Sequence, residues 1–140
     1  MTQARRSVSV AGIVVDDQGR ALIVRRRDNG KWEPPGGVLE IGERIHDGLR
    51  REMAEETGLD VAPGAATGIY NNVPGGIVAL VFRCEAVSGA LRANDEATAF
   101  RWASAAEVVE LMPPAYAVRV LDALRTDGPH VRDHDGTDLF

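Results

Sequence analysis

The chain has 140 residues, 44% of them hydrophobic, and a formal net charge of −5 at pH 7. That length suits one domain with a substantial core, and the acidic balance argues against an extended nucleic-acid-binding surface, though not against a nucleotide whose bound cation reverses the local sign. A single cysteine, Cys84, excludes an intramolecular disulfide and reads as inert packing, no secretory signal is evident, and no apolar run approaches the roughly 20 residues that span a membrane, so a cytoplasmic protein is the default expectation.

From the N-terminus, Ser7 to Val15 is β-branched and apolar, Asp16-Asp17-Gln18-Gly19 marks a turn, and Ala21 to Arg26 reads as a second strand. The two are expected to form a hairpin. Arg25, Arg26 and Arg27 end the second strand, with alternation pointing Arg25 and Arg27 one way and Arg26 the other. One side could reach a phosphate with paired N–H donors; a solvated strand end explains them equally well. Pro34-Pro35-Gly36-Gly37 cannot continue a regular helix or central strand, so a tight loop is expected there, open to close approach by an ion or a phosphate.

A helix then starts near Arg44 and ends at Gly58, which suits the C′ position. Ile45, Leu49 and Met53 follow one another at helical spacing and define its apolar stripe. Glu52 and Glu56 fall within the arc of that stripe, and Glu55 lies on its flank. A solvated surface with i,i+4 pairs such as Arg51 with Glu55 accounts for Arg50 and Arg51, but it leaves two carboxylates on the packing side. Two such groups about 4 Å apart repel by roughly 4 kcal/mol at an effective dielectric of about 20. A divalent cation offsets that repulsion, and all-oxygen ligands favour Mg²⁺ or Mn²⁺ over zinc.

Beyond the helix, Ala66 to Tyr70 reads as a strand, Pro74-Gly75-Gly76 as a turn, and Ile77 to Cys84 as an apolar strand buried on both faces. Tyr70, Asn71 and Asn72 could read a base or ribose, or form a turn. Asn94-Asp95-Glu96 is a loop running into a strand from Ala97 to Trp102, whose tryptophan reads as core. Ser104 caps a short helix through Met112; Pro113 and Pro114 break it, and Ala115 to Leu124 forms another, with Val118, Leu121 and Leu124 as its apolar positions. From Gly128 the chain turns polar. His130, Asp133, His134 and Asp135 could ligate a metal there, but they read more readily as a solvated tail, whose Leu139-Phe140 could dock on the domain or on a second subunit of a homodimer. The expected organisation is one domain over 1–127 and a polar tail over 128–140.

Gly37, Glu43 and the run Arg51-Glu52-Met53-Ala54-Glu55-Glu56-Thr57-Gly58-Leu59 stand at the spacing of the Nudix box and resemble it at every defining position. The resemblance implies an α/β protein, the Nudix α/β/α sandwich around a central mixed sheet. It implies an enzyme that cleaves a nucleoside diphosphate linked to another group, with divalent metal. Carried over by position, Glu52 and Glu56 would be the main metal ligands, Glu55 a further ligand or the catalytic base, and Gly36 a carbonyl ligand. Arg51 would orient the carboxylates and Glu43 would support the loop-helix junction. Glu96 resembles the late acidic residue that serves many family members as base or extra ligand, with a solvated loop acid as its plain alternative.

Two positions depart from the pattern. Asp47 and Gly48 occupy mid-helix positions where small residues such as alanine are usual, and glycine there costs up to ~1 kcal/mol. Glu33 stands where an apolar residue is more usual; it could touch substrate, though simple exposure is slightly favoured. Arg25, Arg27, Glu33, Tyr70 and Asn72 are therefore the candidate contacts to a small-molecule nucleotide derivative. Pro74, fifteen residues beyond Leu59, resembles a marker of ADP-ribose pyrophosphatases, while the length suits a nucleoside triphosphate pyrophosphohydrolase at least as well. A catalytically silent nucleotide-binding sensor is the alternative from another class. The complete set of glutamates argues against it.

Overall fold

The computed structural model describes residues 5–140, so the first four residues of the expected 1–127 domain lie outside it. Eight strands and three helices follow in the order β1 (Ser7–Val14), β2 (Ala21–Arg26), β3 (Trp32–Glu33), β4 (Gly36–Val38), α1 (Ile45–Thr57), β5 (Leu59–Asn72), β6 (Ile77–Gly89), β7 (Ala97–Ala103), α2 (Ala105–Leu111), α3 (Pro114–Ala123) and β8 (His130–His134). A five-stranded mixed sheet has the order β4-β1-β6-β5-β8, and a three-stranded sheet has the order β3-β2-β7.

Period-2 alternation divides the core between the two faces. On β1, Val10 and Val14 join Leu49 and Met53 of α1, together with Leu22, Leu59, Val61, Phe82 and Cys84. The intervening Ala11 and Ile13 face the other way, toward Val108 and Met112 at the end of α2 and Ala117, Val120 and Ala123 of α3. Helices thus cover both faces of the mixed sheet, as an α/β/α sandwich requires. The middle of β6 feeds both clusters, with Ala79 and Val81 on one and Phe82 and Cys84 on the other.

Helix α1 runs from an N-cap at Arg44 to Gly58, which adopts φ 85°. Its buried stripe is Leu49 and Met53, whereas Ile45 in the first turn is 42% exposed. Gly48 is explained by packing: a Cβ there would overlap Leu39 and the Glu43 carboxylate, so the glycine lets the preceding loop lie against the helix. In α2, Ser104 and Glu107 form a reciprocal capping box. Pro114 occupies the first turn of α3, which buries Ala115, Ala117, Val120 and Ala123. The expected apolar positions Val118, Leu121 and Leu124 are only half-buried.

Three expectations change. The turn after β1 forms, with Asp16 N donating to Arg20 O and a bridge between Val15 and Ala21, but β1 and β2 part into different sheets instead of making a hairpin. β1 pairs in parallel with β6 over its whole length and with β4 on its other edge, which places it inside the five-stranded sheet. The glycine-proline loop carries two short edge strands, β3 and β4, one in each sheet, so that Pro34 and Pro35 make the crossing. Residues 130–134 are not a solvated tail. They form β8, paired in parallel with β5, and His134 is fully buried. Asp122 on α3 anchors this edge, accepting from Arg132 Nε and Nη2 at 2.7 and 2.8 Å and from the Tyr70 hydroxyl at 2.8 Å. The chain end folds back through Phe140 N to Asp133 O, leaving Phe140 77% exposed.

Candidate active site

A cleft of about 620 Å³ opens between α1, the β3–β4 crossing, the loop before β7, and α3. At one end, carboxylate oxygens of Glu52, Glu56 and Glu96 lie within 4.8 Å of one another. Two come from α1, one turn apart on its buried side. The third arrives from the loop before β7. Asn94 builds that loop: its Oδ1 accepts from the amides of Glu96 and Ala97, and its Nδ2 donates to the Glu56 carbonyl. Arg27 pins it from the other side, donating its amide to Glu96 O and its guanidinium to Asp95 O and Asn94 O.

Arg51 organises the helix side. Its Nε and Nη2 donate to the two Glu43 oxygens at 2.6 and 2.9 Å, and its Nη1 donates to Glu52 at 2.8 Å and to Glu55 at 3.3 Å. This pairing, with a backbone hydrogen bond from Glu40, draws the Glu43 carboxyl down to about 2. Glu52 moves the other way, because burial outweighs the nearby Arg51. Glu56 is pushed up to about 8, first by burial and then by the charges of Glu33, Glu96 and Glu52, although the Gly36 amide donates to it. Among the described residues no guanidinium pairs with Glu56 or Glu96.

Gly37 is required by this packing. A Cβ on it would overlap the Glu52 carboxylate and displace it from its place beside Arg51, so glycine lets the β4 backbone lie against that side chain as it stands. Three converging carboxylates, one of them paired with a single arginine, leave excess negative charge in a half-enclosed cleft. The donor set is all oxygen, which fits a hard divalent cation.

The profile of the NUDIX domain family matches residues 5–124. This chain belongs to the Nudix family. It is 54% identical over 134 residues to a MutT-like protein of Streptomyces ambofaciens, covering 96% of this chain and 87% of that protein. A putative 8-oxo-dGTP diphosphatase 2 of Mycobacterium tuberculosis is 34% identical over 128 residues, covering 85% of this chain and 89% of its own length. Among solved structures, an ADP-ribose pyrophosphatase of Streptococcus suis superposes with a TM-score of 0.75 at 21% identity, over 93% of this chain and 100% of that one. At that identity the likeness speaks for the fold. The protein is a Nudix hydrolase, and among its described residues no helix is long and apolar enough to cross a membrane.

The Nudix cleft gathers Glu33, Gly36, Glu52, Glu56, Asn72, Glu96 and Arg27. Four expectations fare differently. Glu55 is outside the carboxylate cluster, exposed on the flank of α1 and turned to Arg51. Tyr70 is fully buried beneath α3 with its hydroxyl committed to Asp122, so it reaches no base or ribose. Arg25 turns away and donates to Gly30 O, because the strand alternation points Arg26 inward in its place. Glu33, a candidate substrate contact for which simple exposure was slightly favoured, lines the cleft half-buried, 3.7 Å from Arg26, and burial raises its carboxyl. Pro74 sits in the turn between β5 and β6; Asn72 and Ile77 on either side line the cleft, and Pro74 itself does not. Sequence reasoning missed Tyr116 and Arg119 of α3, which form the opposite wall. An arginine on a helix rich in small apolar residues was the available signal.

Proposed function

We propose that this Nudix hydrolase cleaves the pyrophosphate linkage of a small nucleoside diphosphate derivative, a nucleoside triphosphate or an ADP-ribose-like compound, with Mg²⁺ or Mn²⁺ held by Glu52, Glu56 and Glu96. The observation that carries this reading is the convergence of those three carboxylates from two separate elements inside one cleft. A bound divalent ion would neutralise phosphoryl oxygens and lower the pKa of a water for in-line attack.

The chain's own residues supply the rest. Arg51, held by Glu43, fixes the rotamer of Glu52, so that carboxylate is oriented before any ligand arrives. Glu96 is the exposed member of the cluster and is free of any arginine, which makes it the better candidate to accept a proton; Glu55, engaged by Arg51, supports the helix side. Arg26 and Arg27 line the same cleft and contribute positive potential toward a phosphate chain. A cleft of about 620 Å³ suits a small molecule rather than a nucleic-acid strand. The relative named for 8-oxo-dGTP supports the nucleoside triphosphate class.

A panel of nucleoside triphosphates, ADP-ribose, dinucleoside polyphosphates and nucleotide sugars with Mg²⁺ tests the reading. Turnover of at least one class is expected, and Glu56→Gln should lower it by about a thousandfold with the fold intact. Unchanged turnover in that variant would sink the proposal. Tight binding of one compound without any turnover would favour the sensor.

A further inference from the structure

The far end of the cleft is built differently from the carboxylate end. Its floor is the sheet face carrying Ser9 and Ala11 of β1 and Ala79 of β6, with Ser9 and Ala79 adjacent in register. Small side chains leave a flat slot there. Arg119 and Tyr116 of α3 form one wall, and Glu33 of β3 lines the same space.

The Arg119 guanidinium is held but not satisfied. Its carbon stands 4.5 Å from the centroid of the Tyr116 ring and 5.5 Å from that of Tyr70, and Nη2 lies 3.2 Å from His134 Nε2. Two aromatic faces and a buried histidine fix the plane of the fork. Its Nε is shielded from solvent and has no hydrogen-bond partner, and no carboxylate of the described residues comes within ion-pair distance. A buried donor left unpaired is costly, so the guanidinium is under-satisfied, and an acceptor offered to the edge of its fork that borders the slot is favoured.

The surroundings narrow the acceptor. Glu33 is near enough to feel the charges of Arg26 and Arg119, and Glu56 in turn feels that of Glu33. A further phosphate in the slot would face Glu33, whose charge Arg26 already shares at 3.7 Å, so Arg26 and Arg27 serve the phosphate chain and the slot beside Arg119 is left for a neutral group. A neutral ring with a carbonyl beside an N–H avoids the repulsion, turning its oxygen to Arg119 and its N–H to Glu33. Guanine, hypoxanthine and uracil carry that lactam edge; adenine and cytosine present an amino group in its place, donor against donor. We propose that Arg119, with Glu33 across the slot, reads the lactam edge of the substrate's base and makes the enzyme prefer keto bases over amino bases. The inference rests on the nucleotide reading above and adds the residues that choose the base.

The test needs no turnover. The Arg119 Nε–H resonance, assigned by its disappearance in Arg119→Lys, is followed in the metal-free full-length protein on titration with GMP, IMP, UMP, AMP, CMP and ribose 5-phosphate. The keto nucleotides should shift it and bind about tenfold more tightly than AMP or CMP. In Arg119→Met that preference should vanish, and KM for keto triphosphates should rise about tenfold with kcat held. Equal shifts from GMP and AMP overturn the proposal. So does an equal shift from ribose 5-phosphate, which would assign Arg119 to phosphate, and so does no shift at all. Through-bond and NOE assignment in the wild-type protein, to the Tyr116 and Tyr70 rings that flank the guanidinium, identifies the same resonance if a variant folds poorly. Keto-selective binding without hydrolysis would defeat the hydrolase reading and leave the role of Arg119 standing; hydrolysis without base preference would do the reverse.

Discussion

Helix α1 and the α3–β8 corner both remove charged groups from water, and they treat them in opposite ways. At the corner, Asp122 is 2% exposed but receives two hydrogen bonds from Arg132 and one from Tyr70. Burial alone would raise its carboxyl; those donors outweigh burial and hold it below the ordinary range. On α1, Glu56 is 4% exposed, and burial first and then the neighbouring carboxylates keep its proton up to about 8. A satisfied buried charge closes a structure, whereas an unsatisfied one marks where the structure expects a ligand.

The largest test of this contrast is Asp122→Ala. It strands the Tyr70 hydroxyl and Arg132 at a half-buried edge, and urea unfolding should register a loss of about 3–5 kcal/mol. A loss below about 1 kcal/mol would mean that the corner is a surface pair and the comparison fails. Next is the cluster itself: Glu96→Gln should lower kcat about a hundredfold by steady-state assay, since it removes the one exposed carboxylate of the three.

Stability against pH gives an independent reading. The folded Glu56 carboxyl holds its proton to about 8 against 4.5 in the unfolded chain, so the fold binds that proton the more tightly. Its contribution is fully present below 4.5 and is lost as pH rises through about 8. In metal-free protein, stability should therefore fall across that window by up to about 1.4 kcal/mol per pH unit. Glu56→Gln should flatten the slope, and excess Mg²⁺ should restore stability at the alkaline end. A flat profile in the wild type would show the cluster to be better solvated than its burial implies. The smallest expected effect is that of Glu55→Gln, a change of a few-fold in kcat, because Arg51 already engages that side chain outside the cluster. A loss there as large as that of Glu96→Gln would transfer the base to α1.

Legibility in the sequence follows the same division. The direction of Glu52 and Glu56 depends on the 100° turn of a helix, a local property, and both lie where the wheel puts them. The α2 cap and the break at the two prolines are local too. The wheel was less reliable at the ends: Ile45 fits the apolar period but lies in the first turn, beyond the sheet it would need to cover. Tyr70 was misplaced, whereas Glu33, a candidate substrate contact, does line the cleft. Strand alternation says that neighbours face opposite ways, but not which face meets α3 and which meets the cleft.

The sequence by itself determined that this chain has a Nudix box, where its helix starts and stops, and that its carboxylates face inward, because helix periodicity, glycine stops and like-charge repulsion act over a few residues. Only the tertiary structure decided that β1 joins β6 rather than β2, that residues 130–134 complete the sheet, and that Glu96 and Arg119 close the two ends of one cleft. Those outcomes depend on which surfaces bury one another across tens of residues, and no local spacing encodes that choice.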